Sequence, residues 1–121
     1  MNTAVTLEQP KPLNIDFSSY TDDDQEFKKE LCLLLIDNVK ELHIALQESL
    51  QTGDLAAFST VCHKVTVSID MIDDHHVNTL IEKVKDAFYA QHPLLIAQYT
   101  SRLSAALLQL VIDIEAEIAM R

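Results

Sequence analysis

Only four residues interrupt this 121-residue chain in the way that ends secondary structure: Gly53, Pro10, Pro12 and Pro93. A sandwich or barrel needs a turn signal every few residues, and those signals are missing. Long helices need almost none, because glycine and proline are the residues that break them. The chain is therefore expected to be all-α. Its length suits one domain with a single hydrophobic core.

Helical periodicity locates the elements. A first long helix is expected from about Asp24 to Gln51, with Phe27, Leu31, Leu34 or Leu35, Val39, Leu42, Leu46 and Leu50 on its inner face. Thr21 or Asp22 is placed to cap it, and Asp22, Asp23 and Asp24 suit the positive end of its dipole. Gly53 ends it, and Asp54 caps a second helix running to about Asp73. The second helix buries Phe58, Val61, Val65, Ile69 and Ile72, although Thr66, Val67 and Ile69 are weak helix formers.

Asp73 or Asp74 starts a third helix with Val77, Leu80, Ile81, Val84 and Phe88 inside. Gln91-His92-Pro93 breaks it, and Pro93 opens a fourth. The fourth presents Ile96, Tyr99, Leu103, Ala106, Leu107, Leu110, Ile114 and Ile118. Leu108, Val111 and Ile112 widen its apolar stripe, as expected for a central helix; a homodimer through this helix stays open. The expected fold is an antiparallel up-down four-helix bundle over residues 18–121, with residues 1–17 as an N-terminal arm or strap.

Charge limits the partners. Nineteen acids against nine Lys plus Arg give a net charge of −10, which excludes a nucleic-acid binder and disfavours an anionic membrane. The longest apolar run, Leu31 to Ile36, is too short to span a bilayer. No signal peptide opens the chain. Cys32 and Cys62 read as reduced, mostly buried thiols, with a disulfide between them conceivable but unforced. The expected location is cytoplasmic.

Chemistry has few places to reside. A single glycine leaves no phosphate-cradling loop, and no nucleophile elbow is present. Asp73-Asp74-His75-His76 has the residues of a metal cluster but not the spacing, since adjacent histidines diverge by about 100° on a helix; capping acids followed by exposed histidines are expected, with neither metal nor cofactor. His43 reads as a solvated surface residue and His92 as a loop residue. Ser68 lies on a different face from His63, which disfavours a hydrolytic triad with Asp70. His63 falls off the apolar stripe of the second helix, with Thr66 and Val67 one turn on and Asp70 two turns on. An exposed imidazole is a competent covalent nucleophile for a phosphoryl group.

The stretch from Leu13 to Phe88 resembles the histidine-containing phosphotransfer domains of bacterial phosphorelays. The likeness lies in Asp24-Gln25-Glu26-Phe27, in the apolar helix end before Gly53-Asp54, in Cys62-His63-Lys64-Val65 and in Met71-Ile72. It implies a four-helix bundle that exchanges a phosphoryl group with the aspartate of a receiver domain or hybrid sensor kinase. It makes His63 the phosphoacceptor, Lys64 and Thr66 the phosphoryl-supporting residues, and Val67 and Asp70 partner-facing. The receiver would supply the metal and most of the transition-state charge.

Two positions differ from the family pattern. Thr66 stands where lysine is usual, and Val67 where glycine or another small residue is usual. Lys64, one residue along from His63, is turned about 100° away around the helix, though its flexible stem can reach back. Three functions follow as expectations: a phosphotransfer module, a non-relaying module that binds a receiver or another signalling protein, and a structural bundle that dimerises.

Overall fold

The computed structural model describes residues 9–119, and residues 1–8 of the expected arm lie outside them. The chain is all-helical, with no strand among the described residues. The described residues form six helices: α1 (Phe17–Thr21), α2 (Gln25–Thr52), α3 (Ala56–Lys64), α4 (Thr66–Ile72), α5 (His75–Tyr89) and α6 (Pro93–Ala119). Four helices were expected. The two additional ones come from a short helix where the strap meets the expected bundle and from a break in the second expected helix.

Helix ends follow local chemistry. Asp24 Oδ1 accepts from the Glu26 and Phe27 amides at 3.0 and 3.1 Å and caps α2, the role expected of Thr21 or Asp22. Asp22 instead closes α1 in the left-handed region. Gly53 ends α2 with φ +71°, its N–H donating to the Ser49 carbonyl. Asp54 accepts from the Ala56 amide at 2.8 Å at the start of α3. Asp74 caps α5 through the Val77 amide. At the start of α6, His92 Nδ1 accepts from the Leu95 amide at 3.2 Å, so this loop histidine is a cap.

The break in the second expected helix falls at Val65, whose φ of −101° and ψ of 16° depart from helical values. Thr66 Oγ1 donates to the Cys62 carbonyl at 2.8 Å, the i−4 bond by which threonine bends helices. The turn stays bonded around the bend, with Val65 N–H on the Val61 carbonyl and Ile69 N–H on the Val65 carbonyl. Apolar periodicity therefore passes through unbroken: Phe58, Val65 and Ile72 are buried, with Val61 and Ile69 packed against them.

Three long-range contacts run α2 antiparallel to α3–α4. Phe58 N–H reaches Ser49 Oγ, Lys64 reaches Glu41, and Asn38 reaches Ser68 Oγ at 2.6 Å. Two more run it antiparallel to α6, with Lys28 on Glu117 at 3.2 Å and His43 on Ser104 at 2.7 Å. Helix α5 folds back on α6 through the short turn before Pro93. The core gathers Leu35, Val39, Leu42, Leu46, Phe58, Ile72, Val84, Leu103, Leu107, Leu110 and Ile114 from these elements. Phe27 and Leu50, expected inside, are exposed; of the two alternatives Leu34 and Leu35, Leu35 holds the inner position and Leu34 is exposed.

The strap is fixed before α1 by hydrogen bonds and by Ile15, which is buried in the core. The Lys11 amide donates to Asp113 on α6 at 2.9 Å, and Asn14 donates to the Asp73 carbonyl. Phe17 then places its ring 4.9 Å from the Lys28 ammonium. Helix α6 thus meets α2, α5 and the strap, which accounts for its wide stripe: Val111 is buried and Ile112 half-buried, with Leu108 at the exposed edge. By length and composition it is also apolar enough to cross a membrane, a property that core helices share.

Candidate functional site

His63 stands in the last turn of α3 and is exposed. Two forces put it there. Phe58, Val61 and Val65 turn inward and carry the opposite side of the helix into the core. The helix start is held by Ser49, a fully buried α2 residue whose hydroxyl accepts the Phe58 N–H at 3.0 Å. One and two turns before His63 on its own face come Thr60, Ser59 and Ala56, all small. One turn after come Thr66 and Val67, and two turns after comes Asp70. All three are exposed, Val67 at 75%.

The side chains expected to support a phosphoryl group have other partners. Lys64 donates to both carboxylate oxygens of Glu41, at 2.9 and 2.8 Å. This draws its ammonium toward α2, into a groove shared with Ile44, Ala57 and Val61. Thr66 spends its hydroxyl proton on the Cys62 carbonyl. The resting structure therefore aims neither donor at the imidazole.

On the other flank a cleft of about 220 Å³ separates α3–α4 from α5, with Cys62, Thr66, Asp70, Glu82 and Lys85 among its lining. Lys85 stands 3.6 Å from Glu82 and leaves no uncompensated positive charge there. Burial pushes the Cys62 thiol up to about 11, with smaller opposing influences from Lys85 and Glu82. The thiol is protonated at neutral pH and is no nucleophile beside His63. Cys32 is buried and likewise raised by desolvation, and both cysteines are free.

His43 differs from the solvated residue expected. Its Nε2 meets Ser104 Oγ at 2.7 Å, and burial lowers its pKa. It is a tie between α2 and α6. Nothing in the local pattern marks it, because the partner lies 61 residues away. His75 and His76 are exposed after the capping Asp74, and no group of three or more potential metal ligands assembles among the described residues. Comparison with protein-family models, curated proteins and solved structures finds no match to this chain.

Proposed function

We propose that this chain is a signal-transduction module of the histidine-phosphotransfer type. In this reading His63 takes a phosphoryl group from the aspartate of a receiver domain, or of a hybrid sensor kinase, and can return it. The observation that carries the proposal is the exposed imidazole on an outer helix face bordered by Ala56, Ser59 and Thr60, which leave room for a second active site to close over it. The unprotonated ring nitrogen attacks phosphorus, the P–O bond of the acyl phosphate breaks, and the aspartate leaves as carboxylate while the proton on the other ring nitrogen passes to solvent. This chain supplies the nucleophile and is not a stand-alone enzyme.

The same reading takes α2, the bent pair α3–α4, α5 and α6 as the four helices of an up-down bundle, with α1 as part of a strap. The antiparallel contacts of α2 with α3–α4 and with α6 support it. Val67 and Ile44 offer exposed apolar contact on either side of Lys64 for a receiver. A cytoplasmic location and the absence of nucleic-acid or membrane partners fit the net charge of −10.

One observation favours a second reading, a module that binds a receiver without relaying. Lys64 and Thr66 are both engaged inside the chain, so no donor stands ready for the phosphoryl oxygens. A single experiment separates the two. Receiver domains from the source organism, labelled on their aspartate, are mixed with the protein and with His63→Gln. Acid-labile label on the wild type alone supports relay. A stable complex without label supports binding only, and neither label nor complex with any receiver overturns both.

A further inference from the structure

We infer that Glu41 regulates the phosphoacceptor by holding Lys64 in reserve: the ion pair is a latch that a phosphoryl group on His63 opens. The inference rests on the proposed role of His63. Glu41 on α2 takes both of its hydrogen bonds from one ammonium, at 2.8 and 2.9 Å. Neither side chain is buried: Lys64 is 65% exposed and Glu41 37%. An exposed pair of this kind is weakly held and exchanges readily for a better anion.

Position makes that anion available. Thr60 and Val67 lie three or four residues from both His63 and Lys64, so the two side chains leave the helix on either side of the same exposed strip. Rotation of the four-carbon lysine stem across the strip carries the ammonium from the carboxylate to a phosphoryl group on the ring. A phosphoryl group bears close to two negative charges with three acceptor oxygens, against one charge on Glu41. Thr66 brings no cation, and Lys85 is paired with Glu82 one turn away on the α5 wall of the cleft. Lys64 is thus the cation next to His63 in sequence whose present partner is an exposed carboxylate. Glu41 is a positioning residue: it acts on His63 only through Lys64.

The test uses the full chain and phosphoramidate, which gives its phosphoryl group to imidazole with loss of ammonia. Phosphohistidine is followed by ³¹P NMR for its rate of formation and its hydrolytic lifetime. Glu41→Gln is expected to raise one or both by about threefold, the scale of an exposed ion pair. Lys64→Met lowers them and makes Glu41→Gln silent in the double variant, whereas Lys64→Arg restores them. A purely structural role for the pair would change stability but not lifetime and would not show this dependence. Phosphorylated wild type with the same rate and lifetime in Glu41→Gln and Lys64→Met overturns the latch and leaves the phosphoacceptor intact. No phosphohistidine in any variant overturns the phosphoacceptor itself and the latch with it.

Discussion

Ser49→Ala tests how α3 is held. The hydroxyl of Ser49 is the side-chain acceptor for the Phe58 N–H, one of the amides at the start of α3 that has no partner within the helix. Both Ser49 and Phe58 are fully buried, so water does not replace the bond. Leaving a buried donor unsatisfied costs about 1–3 kcal/mol. Alanine returns up to about 0.5 kcal/mol through its higher helix propensity in α2. The net expected loss is about 1–2 kcal/mol. For a domain of this size that lowers Tm by roughly 5 °C.

The assay is urea unfolding followed by circular dichroism, with hydrogen exchange at the Phe58 amide. The midpoint should fall with an unchanged slope, because no additional surface is exposed on unfolding. The Phe58 amide should lose protection beyond the global change. A loss below about 0.5 kcal/mol, the range of ordinary surface substitutions, would refute the reasoning. So would a full loss in stability with the Phe58 amide as protected as its neighbours.

Thr100 on α6 buries a hydroxyl that meets no hydrogen-bond partner, so Thr100→Val should raise stability by about 1 kcal/mol in the same urea assay. A Cβ on Gly53 would meet nothing within 4 Å, so Gly53→Ala should cost about 1 kcal/mol from its left-handed φ alone, with Gly53→Asn costing less. Because burial lowers the pKa of His43, the folded state binds fewer protons than the unfolded chain at this residue. Its contribution is complete above about pH 6.5 and declines as pH falls toward the folded-state value. Urea midpoints of wild type should therefore drop more between pH 7.5 and pH 5 than those of His43→Gln.

Much of the fold was legible because its signals are local. Asp24, Gly53, Asp74 and Pro93 each act within one helical turn, and each marks a helix end in the structure. The bend at Val65 was hidden by the apolar stripe, which continues across it; the β-branched run Val65-Thr66-Val67 was the available cue. Helix α1 was missed because five residues carry little periodicity. Phe27 and Leu50 were misplaced because they lie in the terminal turns of α2, where fewer helices are present to cover them. At the candidate site, the outward direction of His63 follows from spacing alone. The attachments of Lys64 to Glu41 and of His43 to Ser104 do not, since each joins residues far apart in sequence.

Helix α3 lies close to α2, α4 is tied to α2 by the Asn38–Ser68 hydrogen bond, and the bent pair stands off from α5 across the cleft. Its brace is one-sided, whereas α6 is gripped by two long helices and the strap. Sub-global opening should accordingly begin at α3–α4 while α2, α5 and α6 stay folded, seen as a faster-exchanging block of amides within a slow background. A partner docking on this face would meet the most compliant part of the molecule and would spend part of its binding energy on stiffening it. Affinity for such a partner should then respond to substitutions under the helix, at Ser49 or Asn38, as well as to those on its outer surface.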